Sequence, residues 1–94
     1  MITDEQIKAA ILLKLYKRGK WGGNHTAFDN LKKGFKAKEL GKRGLERVDH
    51  MGRGLIKEGL LLAKPTHYGL QVSLNPRQNQ AIKTIITRFF PEFE

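Results

Sequence analysis

The spacing of apolar residues changes character at Gly59, and that change fixes most of what the chain can become. In KAKELGKRGLERVDHMGRGLIKEG the apolar residues follow a helical spacing. Beyond it, LLLA leads through PTHYG to Leu70, Val72 and Leu74, which alternate with Gln71 and Ser73. A helix followed directly by a β-hairpin is therefore expected. The second strand buries one face against the helices, and Pro65 and Gly69 belong to a connecting loop too long for a two-residue turn. At 100° per residue, a helix over residues 41–58 places Leu45, Val48, Gly52, Leu55 and Ile56 on one face. Arg43, Arg47, His50, Gly54 and Lys57 fall on the other. Gly44, Gly52 and Gly54 each cost about 1 kcal/mol in a helix interior, so they call for a reason such as close backbone approach.

Upstream, Thr3 and Gln6 have capping-box spacing, and Ile7, Ala10, Ile11 and Leu15 recur at intervals of three and four. A helix over residues 4–18 follows, stopped at Gly19, with Lys17 and Arg18 near its negative end. Leu12 and Leu13 widen its apolar arc, so it packs on more than one side. GKWGGNH reads as a loop whose Trp21 either plugs the edge of the core, the favoured reading, or lies open for contact. Thr26 and Asp29 repeat the cap spacing, giving a second helix over residues 27–33 with Phe28 and Leu31 inward and Gly34 as terminator. Phe35 packs just beyond. Asn75 before Pro76 starts a last helix carrying Ala81, Ile82, Ile85, Ile86, Phe89 and Phe90, which Pro91 closes.

Ninety-four residues suit one domain, 1–94, with residues 3–75 as its core and 76–90 as an added packing or dimerisation helix. Lys and Arg number 18 against 9 Asp and Glu, and 18 minus 9 gives +9. Residues 31–60 hold nine of the bases and four of the acids, so five of the nine net charges sit there, as an interface for a polyanion would require. With no cysteine, disulfides, thiolate metal sites and thiol redox chemistry are excluded. The longest apolar run, LLLA, is far below the roughly 18 residues of a membrane span, and MITDEQ opens without a basic n-region, so a soluble cytoplasmic protein is expected. His25, His50 and His67 fall on a loop, a helix and the hairpin tip and are not gathered by any metal-ligand spacing. Asp29, Asp49 and Glu58 form no catalytic pair or phosphate-loop signature. Neither an enzyme nor a cofactor is expected.

Three helices, a two-stranded hairpin and a further helix make a mainly α fold with a small β-hairpin, and this order resembles a winged helix-turn-helix domain. WGGNHTAFDNLKKGF and KEGLLLAKPTHYGLQVSLNPR are also similar to a family of small uncharacterised archaeal winged-helix proteins. The resemblance implies a DNA-binding protein, a small transcription regulator, that docks its third helix in the major groove of double-stranded DNA while the hairpin touches phosphate or the minor groove. Carried over by position, that names Arg43, Arg47, His50, Arg53 and Lys57 on the helix and Lys64, His67 and Tyr68 on the wing. Lys32, Lys33, Lys36 and Lys38 would flank the duplex backbone. Glu46, among these bases, orients an arginine, reads a cytosine amino group, or marks a face that avoids phosphate. RNA is the alternative partner, with Trp21 or Tyr68 stacking on unpaired bases. The other alternative is protein interaction, in which Ile82, Ile85, Ile86, Phe89 and Phe90 build a homodimer instead of completing the chain's own core.

Overall fold

The computed structural model describes residues 2–93, the side chains of residues 37 and 39 excepted. Met1 and Glu94, the two ends of the expected 1–94 domain, lie outside the described residues. The chain forms a mainly helical domain carrying a small antiparallel sheet. Its order is α1 (Asp4–Lys17), β1 (Thr26–Ala27), a 3-10 turn (Phe28–Lys32), α2 (Ala37–Leu40), α3 (Gly44–Lys57), β2 (Leu61–Thr66), β3 (Gly69–Leu74), a 3-10 turn (Pro76–Gln78) and α4 (Asn79–Phe89).

α1 starts with the expected capping box. Gln6 N–H donates to Thr3 Oγ1 at 3.2 Å and Thr3 N–H to Gln6 Oε1 at 2.8 Å, satisfying two donors at the helix start at once. Ile7, Ala9, Ile11, Leu12 and Leu15 are all buried, because α3, α4 and β3 all pack against this helix. Each of the buried Ile and Leu side chains stabilises the fold by about 1.5–3 kcal/mol relative to exposure. Lys8 Nζ reaches Glu58 Oε1 at 2.6 Å and ties α1 to the end of α3.

The second helix expected over residues 27–33 is split. Thr26 and Ala27 pair with Val72 and Gln71 of β3, and a 3-10 turn follows. Thr26 caps nothing; its Oγ1 accepts from Asn30 Nδ2 at 2.9 Å, and Asp29 faces Lys32 at 3.5 Å. The sheet explains the change, since two extended residues supply partners for the second edge of β3. Phe28 and Leu31, three apart, eclipse on a 3-10 turn, and both are buried as expected.

The helix drawn over residues 41–58 begins at Gly44, and α2 occupies the unassigned stretch before it. Leu40 is buried, Gly41 takes φ +84°, and a Cβ on Gly44 would lie 2.5 Å from Leu40 Cβ, so the turn needs glycine at both places. A Cβ on Gly52 would meet the Phe28 ring at 3.0 Å. The buried face of α3 is Val48, Gly52 and Leu55, a narrower stripe turned by roughly 25° from the expected one. Leu45, expected inside, is 61% exposed. Arg47, expected in solvent, is turned inward and only 23% exposed.

The hairpin loop is shorter than expected. β2 and β3 stay in register from Leu61↔Leu74 to Thr66↔Gly69, leaving His67 and Tyr68 as the turn. Thr66 Oγ1 donates to the Gly69 carbonyl at 2.7 Å and accepts from Tyr68 N–H at 3.2 Å, and Gly69 takes φ +109°. A tight turn whose central residues keep negative φ hands the positive φ to the residue after it. Pro65 lies inside β2, the outer strand of the order β1-β3-β2, where a missing N–H is tolerated. Ser73, expected outward, is buried and donates to the Gly22 carbonyl at 2.7 Å. The glycine-rich loop has folded across β3 there, with Leu74 N–H donating to the Lys20 carbonyl at 2.7 Å. Trp21 is half-buried, edge-on to Tyr16 at 5.5 Å.

Asn75 Oδ1 accepts from Arg77 N–H at 3.1 Å, but it caps the 3-10 turn Pro76–Gln78, and the last helix expected to start here begins at Asn79. Ile82 and Ile86 of α4 are fully buried in the core that α1 organises. Among the described residues no helix is long and apolar enough to cross a membrane.

Candidate nucleic-acid interface

The outward surface of α3 follows from how the helix is anchored. Arg47 Nη1 donates to the Leu40 carbonyl at 2.7 Å, and Nη2 donates to the Ile2 carbonyl at 2.7 Å and to Asp4 Oδ1 at 3.0 Å. One guanidinium thus holds the residue before the α1 cap, the first turn of α1 and the end of α2, a fork that lysine cannot reproduce. These bonds leave Arg47 little free donor capacity. Its place is that of a positioning residue for α3.

With Arg47 inward, α3 presents Leu45, Glu46, Asp49, His50, Arg53 and Lys57 outward. The face is mixed in sign. Asp49 is neutralised from two sides, by Lys32 at 3.7 Å and Arg53 at 2.9 Å, and the Arg53 guanidinium also lies 4.9 Å from the Phe28 ring centroid. Glu46, 74% exposed, meets only Arg43 at 3.8 Å among the described side chains. Arg43 itself is 82% exposed, in the turn and not on the helix as drawn. His50 and Lys57 are exposed as expected.

The approach to α3 carries the denser positive charge. Lys33, Lys36, Lys38 and Lys42 are exposed and form no ion pair among the described side chains. Lys14 lies beneath, donating to the Asn30 and Lys33 carbonyls at 2.7 and 2.5 Å. Burial, with Arg18 and Lys33 adding to it, holds its amine below the ordinary lysine value. Exposed cations paired with no described carboxylate are suited to phosphate, at a salt-dependent gain.

The hairpin tip is the third part. Residues 62–69 are exposed throughout, so Lys64, His67 and Tyr68 stand clear of the body. Tyr68 is 93% exposed, with the His67 ring beside it at 6.3 Å. Of the α4 residues expected at a dimer contact, Ile82 and Ile86 are consumed by the chain's own core, and Ile85, Phe89 and Phe90 are half-buried. Phe89 and Phe90 border an open groove of about 610 Å³ that also touches Ile2 and Phe35. Among the described residues no three His, Asp or Glu side chains come together to hold a metal ion.

Two residues of this surface escape a sequence reading that starts the helix at residue 41. Lys42 is hidden when the turn is read as helix, and Leu45 when it is assigned to the core. The pair Gly41 and Gly44, three apart around Lys42 and Arg43, is the signal that marks a turn there. No protein-family model, curated protein or solved structure matches the chain.

Proposed function

We propose that the chain is a winged helix-turn-helix protein that binds double-stranded DNA, a small transcription regulator. The hairpin is the observation that carries this reading. Eight consecutive residues, 62–69, extend from the body exposed throughout, after a helix-turn-helix of α2, a three-residue turn and α3. The sheet order β1-β3-β2, with β2 packed against α3, supports the same reading, because it leaves the hairpin beside the third helix as a wing would be.

In this reading α3 enters the major groove. Lys33, Lys36, Lys38, Lys42 and Arg43 contact phosphates on the approach, and Arg53 and Lys57 do so farther along. Lys64, His67 and Tyr68 serve as the wing. Arg47 holds the angle of α3 and does not touch the duplex. Lys32 is committed to Asp29 and Asp49 and contributes less than its neighbours. A second reading rests on Tyr68, whose open ring suits stacking on an unpaired RNA base. A second copy of the chain would use Ile85, Phe89 and Phe90.

Equilibrium titrations against matched duplex DNA, single-stranded DNA and an RNA hairpin at three salt concentrations test the proposal. Duplex preference is expected, with a steep fall in affinity as salt rises. Replacing Lys36, Lys38 and Lys42 with Gln should reduce the salt slope by about one for each phosphate that is no longer neutralised. Absence of binding at low salt overturns the reading, and a preference for unpaired RNA replaces it with the second one.

A further inference from the structure

The first turn of α3 holds two exposed side chains that the fold does not use. Leu45 is 61% exposed although Val48, Gly52 and Leu55 already fill the inner face, and it borders an open groove of about 480 Å³ formed with Phe35, Leu40 and the 41–44 turn. Glu46 follows it, 74% exposed, with one long contact to Arg43. Asp49 differs, because Lys32 and Arg53 neutralise it. One weakly held carboxylate and one apolar side chain thus sit together. Lys42 and Arg43 lie before them and His50, Arg53 and Lys57 after them.

That order has a chemical consequence. Phosphate repels a carboxylate and gives nothing to leucine, so neither residue suits a surface that touches only the backbone. In the major groove a carboxylate finds the N4 amino group of cytosine, a donor with no adjacent acceptor on the same base, whereas adenine sets N7 beside its amino group. An apolar side chain finds the 5-methyl group of thymine. We propose that the first turn of α3 is the sequence-reading element, with Leu45 covering a thymine 5-methyl group and Glu46 accepting from N4 of an adjacent cytosine. This rests on the duplex-binding reading. The cations on either side then supply affinity without sequence preference.

The test begins with selection of bound duplexes from a randomised pool, using the full chain. Titrations follow on the selected site, on the same site with thymine replaced by uracil, and on the same site with the C·G pair replaced by T·A. The wild type should lose about three- to fivefold on removal of the methyl group. Leu45→Ala should bind the thymine and uracil sites equally. Glu46→Ala should lose a cytosine preference of about tenfold. Thermal melting of both variants at the wild-type midpoint confirms that the fold is retained. The inference is overturned if uracil costs Leu45→Ala as much as it costs the wild type, or if Glu46→Ala keeps the cytosine preference. Duplex binding then survives and the parent reading stands. Loss of all duplex binding by the wild type overturns both.

Discussion

α1 and α3 are both fourteen residues long and pack against one another, yet they are covered in different ways. α1 buries five side chains and lies in the middle of the domain. α3 buries Val48, Gly52 and Leu55 along one edge and leaves its other side to solvent. The same length of helix therefore serves as core in one place and as surface in the other. Five enclosed side chains make α1 the larger contributor to stability, whereas the exposed outer residues of α3 can vary without disturbing the fold.

The largest effect that can break this contrast is in α1. Leu12→Ala should lower unfolding free energy by about 2–5 kcal/mol in denaturant titrations, while Leu45→Ala should change it by less than about 0.5 kcal/mol. Equal losses would mean that α3 is as enclosed as α1. Arg47 comes next, because it joins the two helices. Arg47→Ala should cost about 1–3 kcal/mol through the Leu40 and Ile2 carbonyls left without donors, and Arg47→Lys should recover only part of it. A neutral result would show that the clamp contributes nothing to holding α3. The smallest effect separates the glycines of α3. A Cβ on Gly54 meets nothing, unlike those on Gly44 and Gly52. Gly54→Ala should raise stability by about 1 kcal/mol on the thermal midpoint, and a loss there would place a hidden constraint on the outer face.

The elements were legible in the sequence where local chemistry decides them: the Thr3–Gln6 box, the Gly59 switch, and the Asn75–Pro76 start. Spacing also named Phe28, Leu31, Val48 and Leu55 as core. What it missed depended on distant partners. Thr26 and Ala27 look like a helix start until β3 offers them an edge, and Ser73 looks solvent-facing until the loop through Gly22 covers it. The candidate site was harder to read, because the inner stripe of α3 is narrower than expected and turned by roughly 25°, which leaves Leu45 at its exposed edge. Here the backbone carbonyls of Ile2 and Leu40 hold Arg47 inward, and no side-chain pattern records them.

β3 pairs on one side with β2 through a two-residue turn, and on the other with β1, where Thr26 faces Val72 and 72 minus 26 is 46 residues. These two partnerships close loops of very different length. A hairpin of this kind forms in about 1–10 μs, whereas β1 can dock only after α2 and α3 have brought the chain back. The sheet therefore assembles from its exposed edge inward to the body, and β1, only two residues long, is the last strand on and the first off. Amide exchange should be faster at Thr26, which faces β3, than at Ser73, which pairs with Leu62 of β2, and slower exchange at Thr26 would reverse that order of assembly.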